Sequence, residues 1–111
     1  MLILPIKKKW FDMIKSGEKK EEYREIKSYY TTRLKKIFPY NIQKNTNEIW
    51  YLGNRTAAQE IIFRNGYNSN SPQVKCKCIL RVGPGKEEWG AEPGKEYYVL
   101  EILEVLNSDN Y

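Results

Sequence analysis

At 111 residues the chain has the length of one domain, spanning 1–111. A hydrophobic content of 41% argues for a folded globule and against disorder. Nineteen Lys and Arg against fourteen Asp and Glu leave a net charge of +5, and the absence of histidine removes the commonest general base and every Ser-His or Cys-His nucleophile scheme.

A basic excess attracts polyanions, nucleic acid first, although it also serves plain solubility. Cys76 and Cys78, with no histidine and no further cysteine, do not make a zinc site, so no metal is expected. No apolar run approaches about 20 residues, so no membrane span is expected. Two cysteines read as reduced, and the lack of a signal-like apolar segment, point to the cytoplasm.

Leu2 to Ile6 is a nearly continuous apolar run and reads as a buried strand, with Pro5 near its end. Ile6, Trp10, Phe11 and Ile14 recur at helical spacing and predict a helix over Lys8 to Lys15. Gly17 fits the left-handed residue that ends such a helix. Lys19 to Ile26 reads as the second strand. Alternation puts Glu22 and Arg24 on one face, and Lys19 has the wrong parity to join them. If the three share a site, Lys19 must lie in the turn before regular pairing, or a bulge must intervene.

Ile26, Tyr30, Leu34 and Phe38 predict a second helix over Ser28 to Ile37, stopped by Pro39. Asn41 to Asn47 reads as a polar loop. Ile49 to Leu52 and Gln59 to Arg64 read as strands ended by Gly53-Asn54 and Asn65-Gly66. Val74, Cys76, Cys78, Leu80 and Val82 alternate with Lys75, Lys77, Ile79 and Arg81, the pattern of a half-buried strand with its cysteines inward. Gly83-Pro84-Gly85 breaks it. Lys86 to Lys95 reads as a loop in which Trp89 covers a small core. Tyr97 to Leu106 closes the sheet, and Asn107 to Tyr111 reads as a frayed end. About six strands and two early helices, with no β-α-β alternation, predict an α+β fold with a mostly antiparallel, curled sheet.

The densest feature is the run Glu18 to Glu25, in which every residue is charged except Tyr23. Such a run is usually a solvated face. Its skeleton, Gly17-x-Lys19-x-x-Glu22-x-Arg24, resembles the G-x-K-x-x-E-x-R signature of ASCH domains, relatives of the PUA RNA-binding fold. The strand and the Trp10-Phe11-Ile14 helix before it agree with the resemblance, as do Phe63-Arg64-Asn65-Gly66-Tyr67 and the long closing strand after it.

The resemblance implies a PUA-like mixed barrel whose two helices flank a cleft, with Lys19 at the cleft floor. It implies RNA or a modified nucleoside or nucleotide as partner, bound by Gly17, Lys19, Glu22 and Arg24, and no cofactor. Lys7 at the first strand's end, Arg64 and Asn65 at a later strand's end, and Tyr67 as a stacking face complete the candidate ligand-binding residues. A pairing of Arg and Glu two residues apart suits a nucleobase edge and a phosphate, though it is equally the pattern of a surface ion pair.

One ASCH-like branch hydrolyses N4-acetylcytidine and similar amides, with the signature lysine, a threonine at the position of Glu22, and a distant glutamate. Here Lys19 and Glu22 would be the catalytic pair, and Glu60, Glu101 and Glu104 are candidates for the distant carboxylate. A third implication, from ASCH modules attached to coactivators, is a protein-interaction role, with no partner indicated by the residues.

Overall fold

The apolar run at the chain's start is an edge strand. In a computed structural model, β1 (Leu2–Pro5) pairs in parallel with β5 (Gln59–Arg64), Leu2 against Ile61 through Pro5 against Arg64. Residues 1–39, 42–44, 49–51 and 57–109 are described, with the side chains of 42–44, 49–51 and 107–109 outside that description. Because β1 has a neighbour on one side and a core on one face, Leu4 is buried while Ile3 stays exposed. Pro5 lacks an N–H, which an edge position tolerates.

The helix α1 (Lys8–Ser16) turns its apolar stripe inward through Phe11 and Ile14. It ends at Gly17, whose φ of 88° is the left-handed conformation that favours glycine, and whose N–H donates to the Ile14 carbonyl at 3.0 Å. β2 (Glu21–Arg24) is shorter than the expected Lys19 to Ile26, because Lys19 and Lys20 belong to the turn. The helix α2 (Ser28–Ile37) follows, burying Thr31 and Leu34.

The long strands β6 (Gln73–Pro84) and β7 (Glu96–Asp109) make an antiparallel pair with register shifts at Lys75/Cys76 and Lys77/Cys78. Such irregularities bend and twist a hairpin. The main sheet has the order β1-β5-β6-β7-β2, parallel only between β1 and β5. It is a curled, mixed half-barrel, and this corrects the expectation of a six-stranded barrel. Ile49–Tyr51 (β4), the strand expected to complete it, instead pairs with Ile42–Lys44 (β3) as a separate two-stranded sheet. β3 also falls where a polar loop was expected. Gly53-Asn54 lies outside the described residues.

Three further boundaries move. β6 continues through Gly83 and Pro84, where a break was expected, since β7 supplies a partner there. β7 is paired through Asp109, beyond the expected fraying point. A single 3-10 turn, Glu87–Trp89, stands within the expected loop.

Both helices contribute to one core, where Phe11, Ile14, Leu34 and Phe38 meet Phe63 and Tyr98. Cys76 and Cys78 lie in the same core, as their alternation predicts. On the opposite face Tyr97 and Val99 form a smaller cluster with Ala91 and Tyr23. That second cluster explains why β7 is apolar on both faces. Among the described residues no helix is long and apolar enough to cross a membrane.

Candidate functional site

The signature folds into a chain of three charges, buried at Lys19 and Glu22 and half-buried at Arg24. The turn after α1 fixes Lys19, whose backbone N–H donates to the Met13 carbonyl at 2.9 Å. This places Lys19 before the first paired residue of β2, which resolves its parity as required above. Its side chain is fully buried, with Nζ donating to the Trp89 carbonyl at 2.7 Å and standing 3.2 Å from Glu22 Oε1. The rings of Tyr23 and Trp10 lie 4.8 and 5.1 Å from the ammonium, within cation–π range. Burial holds the Lys19 pKa below its ordinary value, while the Glu22 carboxylate opposes that shift.

Glu22 is also buried, and its second oxygen, Oε2, accepts from Arg24 Nη2 at 2.7 Å. The same Nη2 donates to the Pro5 carbonyl at 2.9 Å. Arg24 Nη1 makes one long bond, 3.4 Å, to the Tyr30 hydroxyl, and the buried Nε has no partner among the described residues. The result is a Lys-Glu-Arg row with one net positive charge, its orientation fixed along its length.

The row opens at its Arg24 end into a cleft of about 470 Å³. Lys7 and Trp10 at the start of α1, Glu22 and Arg24 on β2, and Asn65 and Tyr67 after β5 line it. Lys7, Glu22, Arg24, Asn65 and Tyr67 are therefore brought together as expected. Tyr67 is 90% exposed, so its ring is free of protein packing. Gly66, at a φ of 132°, makes the turn that carries Asn65 and Tyr67, where the Asn65 N–H donates to the Pro72 carbonyl at 2.8 Å.

Three candidates sit elsewhere. Arg64 turns away from the cleft, donating from Nε and Nη2 to Gln73 Oε1 at 3.1 and 2.9 Å across the β5–β6 pair. Gly17 is the cap of α1 and stands against Lys20 and the outer part of β7. Lys19 underlies the cleft without lining it, because its ammonium is enclosed by Trp10, Tyr23, Glu22 and Trp89. Its ammonium contacts Glu22 from beneath.

Three residues take part in the site that the sequence analysis did not place there. Trp10 looked like part of a core stripe, yet it lines the cleft and faces the Lys19 ammonium. The Trp89 and Pro5 carbonyls anchor the two ends of the row, and backbone acceptors of this kind leave no mark on residue identity.

The candidate distant carboxylates do not enter the cleft. Glu101 accepts from Arg81 Nε at 2.6 Å on the other face of the sheet, where Arg81 also bonds Glu21 at 3.0 Å. Glu60 stands 3.8 Å from Lys75, and Glu104 is exposed. Glu22 is thus the one carboxylate lining the cleft among the described residues. No group of three or more His, Cys, Asp or Glu able to hold a metal occurs among them. A scan against protein-family models finds no match, and searches of curated proteins and of solved structures find none either.

Proposed function

We propose that the cleft binds a nucleotide, either free or as an unpaired residue of single-stranded RNA, in the manner of an ASCH-like binding module. The observation that carries this reading is the Glu22–Arg24 pair, held at 2.7 Å in the cleft wall with its charges unbalanced by Lys19 beneath. A fixed fork of donors beside a fixed acceptor matches a phosphate or carbonyl oxygen next to an amino group. Lys7 adds a second cation at the wall, Asn65 a two-way amide, and Trp10 and Tyr67 aromatic surface.

Hydrolysis of an N4-acetylcytidine-like amide is the weaker alternative. Lys19 is enclosed, Glu22 replaces the threonine of that branch, and no second carboxylate lines the cleft among the described residues. Release of cytidine from N4-acetylcytidine, abolished in Glu22→Gln, would favour it.

Fluorescence anisotropy of labelled single-stranded RNA at two salt concentrations tests the binding reading. Arg24→Ala is expected to weaken binding by more than one removed charge accounts for, and Arg24→Lys to weaken it although the charge is kept, with thermal melts showing both variants folded. Equal weak binding by all three proteins, collapsing with salt, would reduce the protein to a nonspecific polycation.

A further inference from the structure

We propose that the ligand is a dinucleotide step of single-stranded RNA, its bridging phosphate over Arg24 and one nucleoside in each of two flanking pockets. This rests on the nucleotide reading above and extends it to the far side of Arg24. A second pocket of about 320 Å³ lies there, with Tyr30, Tyr97, Gly90, Lys95, Glu25 and Glu92 among its walls. Among the described residues Arg24 is the one that lines both pockets.

Charge assigns the parts. The first cleft holds two cations, Lys7 and Arg24, against the single carboxylate of Glu22. The second sets Arg24 and Lys95 against Glu25 and Glu92, with Lys95 Nζ 3.7 and 3.8 Å from those two carboxylates. A phosphate is favoured on the first side and at the shared wall. A neutral nucleoside is favoured in the second pocket, where carboxylates accept from ribose hydroxyls or a base amino group. Arg24 has donor capacity left for this task at Nη1, whose one bond among the described residues is the 3.4 Å contact to Tyr30. A free mononucleotide fills one pocket and leaves the other empty.

Amide shifts of the isotope-labelled protein distinguish the cases. The probes are a mixture of nucleoside 5′-monophosphates and a mixture of ribodinucleoside monophosphates. Mononucleotides are expected to move Lys7, Asn65 and Gly66, and dinucleotides to move Gly90 and Lys95 as well. The dinucleotides should bind about tenfold or more tightly, the gain typical of one added base contact. Lys95→Glu should bring the ratio of the two affinities close to one. Mononucleotide binding with no dinucleotide gain and no shift at Gly90 or Lys95 overturns the two-pocket proposal and leaves the nucleotide reading intact. Absence of binding by both probes overturns both.

Discussion

Arg24 Nη2 donates at once to the Pro5 carbonyl at 2.9 Å and to Glu22 Oε2 at 2.7 Å. Pro5 ends β1 and Arg24 ends β2, the two edges of the half-barrel. One guanidinium nitrogen therefore ties edges that no backbone ladder joins. Lysine keeps the charge and loses the fork. Arg24→Lys is expected to lower unfolding free energy by about 2–3 kcal/mol, the scale of a charged hydrogen bond lost from a buried acceptor. Urea denaturation measures it, and an unchanged midpoint would show that the tie contributes nothing.

The row behind Arg24 predicts an order of severity. Glu22→Gln removes the one carboxylate in contact with the buried Lys19 ammonium among the described residues, and an unpaired buried charge costs about 3–5 kcal/mol. Lys19→Met leaves Glu22 still paired with Arg24 and loses mainly the bond to Trp89, about 1–2 kcal/mol. The glutamate variant should be the less stable of the two by chemical denaturation. The reverse order would mean that Glu22 serves Arg24 alone.

The same pair sets a pH dependence. Burial lowers the Lys19 pKa in the folded protein below the ordinary 10.5, against the pull of Glu22. Between the lowered folded value and 10.5, the unfolded chain holds a proton that the folded one has shed, so this group's contribution to stability rises with pH. Removing the Glu22 charge widens that window downward. The stability gap between Glu22→Gln and the parent should therefore narrow as pH climbs towards 10.5. Tyr23, whose pKa burial pushes up, acts in the opposite direction at high pH, but it is common to both proteins and cancels in the comparison. A gap that is constant with pH would remove Lys19 as its source.

The cysteines offer a probe of unfolding. Burial pushes the Cys76 thiol up to about 12 and raises Cys78 as well. Thiolate is the reactive form. Neither cysteine should react with iodoacetamide near neutral pH except through opening of the core, so labelling rates should rise in parallel with denaturant-induced unfolding. Fast labelling of the native protein would place the β6 strand in a locally open state.

Periodicity made β6 and both helices legible, because each repeats at 2 or 3.6 residues against the core, whereas β5 and β7 stood out as apolar runs, β5 ended by Asn65-Gly66 and β7 apolar on both faces. It also exposed the parity conflict at Lys19, whose resolution in the turn is what joins it to Glu22 and Arg24. The half-barrel was not legible. Whether Ile49–Tyr51 pairs with a distant strand or with its neighbour Ile42–Lys44 depends on register, which alternation leaves open. Arg64 misled for a related reason. Its place at a strand end suits a cleft, but Gln73 directly opposite captures its guanidinium.

Two glycines should respond to alanine for different reasons. At Gly85 an added Cβ would stand 2.5 Å from the Tyr23 ring and 2.8 Å from Ala91. Tyr23 has little room to retreat. Its hydroxyl donates to Glu21 at 2.7 Å and accepts from the Lys86 N–H at 2.9 Å, and its ring faces Lys19. Gly85→Ala should cost about 1–3 kcal/mol through overpacking and shift the Lys19 ammonium resonance. At Gly17 a Cβ meets nothing within 4 Å, and only the left-handed φ of 88° resists it. Gly17→Ala should cost about 1–2 kcal/mol and leave that resonance in place. If Gly85→Ala melts with the parent and leaves Lys19 unmoved, Tyr23 is not the fixed wall of the buried row that its two hydrogen bonds imply.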